Sequence, residues 1–186
     1  MKCRICPNYV TSDDNLHWTH EHGDVHCGTG DGSTAYPLVE PIEASGADIN
    51  AMVEGYLEAQ LWAGLDYRAE DEEPVTYDEN YSRADIAPEY VAAVHEELTE
   101  VVAQHPLAVR MYLSAIAEHA AKWGGLDNAA RSAQFGHDFY LTRESHGAGF
   151  WDRGLGEPGE YLTGIAKSYG PAETLHDNGN GKLVAA

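Results

Sequence analysis

Residues 136–157 hold the densest group of chemically capable side chains in the chain, set on glycine-rich backbone. Arg143 and Arg153 offer planar guanidinium forks of the kind that match phosphate or carboxylate. His146, next to Gly147, is placed to donate to the same anion or to act as a general base. Asp152 suits orienting His146 or clamping Arg143, while Phe150 and Trp151 supply stacking area for a base or another ring. Gly147, Gly149, Gly154 and Gly156 let the backbone approach a ligand and turn N–H groups toward it. Arg143, His146, Gly147, Gly149, Trp151, Asp152 and Arg153 therefore read as a binding pocket for a small, nucleotide-like anion.

Two other readings of this stretch stand beside that one. His137, His146 and Asp152 could serve a phosphoesterase or nuclease, although the stretch lacks a P-loop lysine and a Gly-x-Ser-x-Gly elbow. Alternatively, Phe150 and Trp151 plug the core, and Asp152 and Arg153 pair with partners to hold a tight glycine turn.

A second set of candidate ligands lies at the N-terminus. Cys3 and Cys6 form a C-x2-C pair, followed by His17, His20, His22, His26 and Cys27. Two thiolates on a tight turn plus a second pair are what tetrahedral zinc takes, and His20 with Cys27 is the second pair that the spacing favours. His17 and His22 are alternatives to His20, and His26 ranks last. Four protein ligands leave no open position for water, which points to a structural zinc site and not a catalytic one.

The elements that must position these groups follow from hydrophobic spacing. Residues 28–48, rich in Gly and Pro, read as a linker. Asp48 caps a helix whose apolar stripe is Ile49, Met52, Val53, Tyr56, Leu57 and Leu61, closed by Trp62 near Gly64. Residues 66–85, with eight acids, two arginines and three tyrosines, read as a solvated acidic loop. Pro88 opens a helix that His105-Pro106 ends, and the next runs from about Leu107 to Gly124-Gly125. His95 and His119 lie near those faces as structural histidines. Asp127 or Asn128 caps a further helix, in which a core-facing pair, Phe135 and Phe139, turns His137 and Asp138 toward a cleft rim. Glu157-Pro158 starts the last helix, with Leu162, Ile165, Ala166 and Tyr169 buried, and Gly170-Pro171 stops it. Two short runs around the Asn-Gly pairs 178–181 signal a hairpin. The fold class is α+β and mainly helical: an N-terminal zinc knuckle (residues 1–34), about five helices, and a C-terminal β-hairpin within a domain spanning 35–186.

Composition narrows the function classes. The 186 residues include 31 acids and 11 Lys plus Arg, a net charge of −20 that repels phosphate backbones and disfavours nonspecific nucleic-acid binding. That charge reads first as a solvated surface, and second as a DNA mimic, with the acids at 70–73 as the mimicking face. No apolar run reaches the roughly 20 residues that a membrane span needs, and the opening Met-Lys-Cys-Arg-Ile-Cys-Pro lacks the apolar stretch expected of a secretory signal. All three cysteines lie within the first 27 residues, which is no disulfide framework and points to a reducing cytoplasm.

The residues Asp138-Phe139-Tyr140-Leu141-Thr142-Arg143, then His146-Gly147-Ala148-Gly149-Phe150-Trp151-Asp152-Arg153-Gly154, resemble an uncharacterised family of small bacteriophage proteins. The likeness covers roughly residues 85–184. Family members usually carry Trp at the place of Tyr140 and Asn-Gly at the place of Glu144-Ser145, and many lack the cysteine knuckle. The resemblance implies a phage source and the cytoplasm of a host, and no mechanism. Combined with the residue reading, it points to a phage accessory protein that binds a host protein or a nucleotide-type ligand used in antiphage defence; oligomeric state is left open. The knuckle makes a direct prediction: native mass spectrometry of the purified chain should show a single zinc per chain, lost on denaturation, because a closed Cys/His site exists only in the folded state.

Overall fold

The computed structural model describes residues 10–11, 19–20, 46–67, 73–122 and 124–185, with backbone alone for the first two pairs. The chain divides into two units, residues 1–41 and 42–186. In the first, Val10–Thr11 (β1) pairs antiparallel with Thr19–His20 (β2), Val10 opposite His20. Cys3, Cys6 and Cys27, with His17, His22 and His26, lie outside the described residues, as do three of the four acids at 70–73.

The second unit is mainly helical. Its five α-helices are Ile49–Ala63 (α1), Pro88–Gln104 (α2), Pro106–Ala121 (α3), Asn128–Arg143 (α4) and Glu157–Ser168 (α5). Short polar side chains start two of them: Asp48 accepts from Ala51 N at 3.1 Å, and Asp127 accepts from Ala130 N at 2.8 Å. Proline supplies the first turn of α2, α3 and α5, where its missing N–H costs nothing. No helix among the described residues is long and apolar enough to cross a membrane.

The central contact is between α1 and α4, and glycine permits it. A Cβ on Gly136 would lie 1.8 Å from the Met52 carbonyl oxygen, and one on Gly55 would lie 1.9 Å from that of Ala133. Each helix thus presses its backbone against a glycine of the other. Ser132, fully buried on α4, accepts from Asp48 N at 3.1 Å and ties the start of α1 to the same seam. Around it lies an aromatic core. Tyr112 meets Phe135 and Phe150 edge-on at 5.2 and 5.3 Å between ring centroids, and Tyr56 meets Tyr140 at 5.1 Å.

Residues 66–67 and 73–85 are more ordered than the acidic composition suggests. Leu65–Asp66 (β3) pairs antiparallel with Val75–Thr76 (β4), and two 3₁₀ turns follow, Tyr77–Glu79 and Arg83–Asp85. Tyr77 and Tyr81 are the reason: both rings are buried while their hydroxyls reach the C-terminal hairpin. Tyr77 OH donates to the Leu175 carbonyl, and Tyr81 OH donates to Asp177 Oδ2 at 2.8 Å. That hairpin joins Leu175–Asp177 (β5) to Leu183–Ala185 (β6), with His176 opposite Val184. Lys182 Nζ adds bonds to the Ala84 carbonyl and to Asp85 Oδ1, 2.8 and 3.0 Å long.

A glycine seam of this kind leaves no room for a methyl group. Gly136→Ala should cost about 1–3 kcal/mol or more, since the clash is with backbone that no rotamer can relieve. At roughly 2–4 °C per kcal/mol for a domain of this size, thermal denaturation followed by circular dichroism reads the loss directly. Gly147→Ala is the control: nothing lies within 4 Å of its Cβ position, and its melting temperature should stay near the parent's.

Candidate functional site

The stretch 136–157 comprises a helix, its cap and a short turn, and only part of it is loop. Residues up to Arg143 belong to α4, where Gly136 serves packing and not chain flexibility. The helix then closes with the bond pattern of a Schellman cap: Ser145 N donates to the Thr142 carbonyl, and His146 N donates to that of Leu141. Ser145 holds the left-handed position, φ 58°, that glycine favours there. Glu144, at the helix end, sends its carboxylate away from the turn to accept from Ala172 N at 2.5 Å.

Asp138 does not reach a cleft rim. It is fully buried, at the centre of a set of donors. Tyr112 OH (2.7 Å), Gln134 Nε2 (2.9 Å), and Arg153 through Nε (2.7 Å) and Nη2 (2.5 Å) all donate to its two oxygens. The helical period explains the error: residue 138 faces the same way as Gln134 and points at α3 and the following turn, one step round from His137. Burial by itself would raise the Asp138 pKa. His137 Nδ1, Arg153 and Tyr112, all facing the carboxylate, more than offset that and hold it below the ordinary aspartate value. The hydrogen bonds to Asp138 raise the Arg153 pKa further, outweighing its own burial. Burial, followed by the Asp138 charge and hydrogen bond, pushes the Tyr112 phenol well up.

Arg143 is likewise turned inward, its side chain 6% exposed. Nε donates to the Gly170 carbonyl at 2.7 Å, Nη1 to Tyr56 OH at 3.0 Å and to Glu97 Oε1 at 2.6 Å, and Nη2 to the carbonyls of Tyr169 and Pro171 at 3.2 and 3.4 Å. Its guanidinium carbon also lies 5.8 Å from the Phe139 ring centroid. Glu97 carries a cost for this: burial pushes its pKa up despite Arg143 alongside. Neither arginine presents the open fork that an anion pocket needs; both are spent within the protein.

The turn after the cap is similarly self-contained. Phe150 N donates to Thr142 Oγ1 at 3.0 Å, and the Phe150 ring is fully buried. Asp152 accepts from Gly149 N at 3.1 Å and lies 4.0 Å from Arg153 Nε, so it neither orients His146 nor clamps Arg143. A Cβ on Gly149 would fall 2.5 Å from Thr142 Oγ1, so this glycine serves a close approach of chain to chain and not of chain to ligand. Trp151 is 41% exposed, with Lys167 Nζ 6.0 Å from its ring centroid. His146, half-buried, stacks on Tyr140 at 6.4 Å. Gly147 stands in open space.

Among the described residues, Arg143 and Glu97 line a small hollow of about 310 Å³, and a groove of about 670 Å³ lies one step aside. His137, Leu141 and Ala148 form one part of its lining; Glu54, Glu58, Leu61 and Trp62 of α1 form another; Asp78, Tyr81, Ser82 and Arg83 complete it. Of the three residues proposed for phosphoester chemistry, His137 alone lines this groove. Its Nδ1 is buried, 3.5 Å from Asp138 Oδ1 and without a formed hydrogen bond, while its side chain is 32% exposed. Trp62 is 57% exposed, the most open tryptophan among the described residues. Arg83 Nε bonds both Glu54 oxygens, at 3.1 and 3.2 Å, and Thr76 Oγ1 donates to Asp78 Oδ1 at 2.6 Å. Glu58 and Trp62 make no polar or ring contact with other described residues. Among the described residues, no group of three or more His, Cys, Asp or Glu is placed to hold a metal ion.

The helix α1 members were visible in the sequence as the polar side of an amphipathic helix. Glu54, Glu58 and Trp62 recur every fourth residue, which sets them on one face. A tryptophan that continues a carboxylate row is the sequence signal for its exposure.

Replacing the buried carboxylate tests its role. Asp138→Asn should destabilise by about 3 kcal/mol, the lower end for removing one partner of a buried pair, because Arg153 keeps some access to water. The pH dependence has a definite sign. A folded pKa held below the unfolded one, near 3.9 for aspartate, stabilises above that pH and is lost as pH falls through the folded value. Urea denaturation from about pH 5 downward should thus show a falling midpoint in the parent and a shallower fall in Asp138→Asn.

No protein-family model, no curated protein and no solved structure matches the chain.

Proposed function

We propose that this chain acts by binding a protein partner, and that the groove between α1, residues 78–83 and the His137–Ala148 segment is its contact surface. The observation that carries this reading is Trp62, more than half exposed on the groove wall and unpartnered. A large aromatic left in water on a concave surface is the usual anchor of an interface, worth far more when a partner covers it than it costs exposed. In keeping with the resemblance in the central stretch, the chain is proposed to be a phage accessory protein working in a host cytoplasm, with a host protein as the partner.

Two targets fit the sequence, a host protein and a nucleotide-type anion. Charge favours the first. The groove carries three carboxylates against one arginine, the chain as a whole carries −20, and the two arginines that would have held an anion are committed to Asp138 and Glu97. Binding is favoured over turnover because His146 and Asp152 engage Tyr140 and Gly149 and do not join His137 in the groove.

Affinity capture from a host lysate, with parent and variant side by side, tests this. Trp62→Ala should weaken capture of the partner about thirtyfold, a hot-spot loss of about 2 kcal/mol, while its melting temperature holds. Capture that is unchanged by Trp62→Ala and by His137→Ala would place the contact surface elsewhere.

A further inference from the structure

The groove's own chemistry names what it fits, and this step rests on the binding surface proposed above. Its floor and wall are apolar and aromatic, through Leu61, Leu141, Tyr81 and Trp62, and its carboxylates are Glu54, Glu58 and Asp78. Arg83 occupies Glu54. Glu58 is left with no partner, one helical turn from the equally unpartnered Trp62. An aromatic face beside a free carboxylate is how proteins hold an ammonium or guanidinium group, by cation–π attraction plus charge.

We infer that the occupant is a Lys- or Arg-bearing segment of a partner protein, whose cationic side chain enters the groove beside Trp62 and Glu58. An anion is disfavoured by the same carboxylates. A free small amine suits the groove less well than a tethered side chain. Sites for small molecules bury 70–90% or more of their ligand, roughly, whereas here Trp62 and the Glu54 side chain stand more than half in water. A side chain delivered by a folded partner has the rest of an interface to hold it. The −20 charge of the chain adds long-range attraction toward a basic surface and speeds the encounter.

The probe is a fluorescently labelled peptide of alternating arginine and serine, with binding to the full chain followed by anisotropy at two salt concentrations. Glu58→Gln and Trp62→Ala should each weaken the peptide at least fivefold. Glu89→Gln and Glu118→Gln, exposed acids on α2 and α3 outside the groove, should change it less than twofold. Equal weakening by all three acid substitutions would mean diffuse attraction to an acidic surface and would overturn the inference, as would peptide binding untouched by Trp62→Ala. Spermidine competing as well as the peptide at equal charge would point to a free amine and also overturn it. Far-UV circular dichroism of each variant confirms the fold, which exposed positions 58 and 62 leave intact. If lysate capture depends on Trp62 while neither Glu58→Gln nor the arginine peptide affects it, the groove remains the contact surface and the cationic occupant alone is refuted.

Discussion

A carboxylate removed from water must be met by donors, and Asp138 is the place where this chain meets that demand most fully. Its oxygens take bonds from α3 through Tyr112, from α4 through Gln134, and from the turn after α4 through Arg153. An ion pair this buried gives little net stability compared with apolar packing, because desolvation consumes much of the attraction. What it does give is geometry. With Arg153 fixed to Asp138, the turn must fold back over the helix end, and Phe150 is carried into the space between Tyr112 and Phe135. Arg143 performs the same service on the other side, joining α4 to Glu97 of α2 and to the chain that follows α5.

This arrangement works because α4 can lie directly on α1. The Gly55 and Gly136 seam brings the two backbones together, and other side chains of the two helices meet on either side of it. On one side lie the aromatic core and Arg143. On the other, His137 and Leu141 of α4 meet Glu58, Leu61 and Trp62 of α1, and the Tyr81–Arg83 segment closes the groove. Tyr81 is held there by its bond to Asp177, so the C-terminal hairpin indirectly shapes the proposed binding surface. The groove is a by-product of close helix packing, widened by a segment that two tyrosines anchor.

The functional picture shifts accordingly. A stretch dense in Arg, His, Asp and Gly looks like a site, yet most of its polar groups here satisfy one another: Asp138 with Arg153, Thr142 with Phe150 N, Asp152 with Gly149 N. The buried polar groups of a turn must be satisfied internally, and a chain that does so uses the same residue types as a binding pocket. The surface left with unsatisfied capacity is acidic and aromatic, which agrees in sign with the charge of the whole chain.

By itself the sequence determined the helices of the second unit and the C-terminal hairpin. Helix starts at Asp48, Pro88 and Asp127, the break at His105-Pro106, the stop at Gly170-Pro171 and the terminal hairpin all follow from local rules of capping, proline geometry and glycine conformation, which act within a few residues. The structural alternative for Phe150 and Arg153 was also legible, though the pattern could not choose between it and an anion pocket. That choice, the inward aim of Arg143 and Asp138, the order imposed on residues 73–85 by Tyr77 and Tyr81, and the existence of the groove were decided only by tertiary structure. The physical reason is common to all four. Whether a side chain is spent or available depends on partners 15 to 98 positions away in sequence, and no local spacing encodes which of those will arrive.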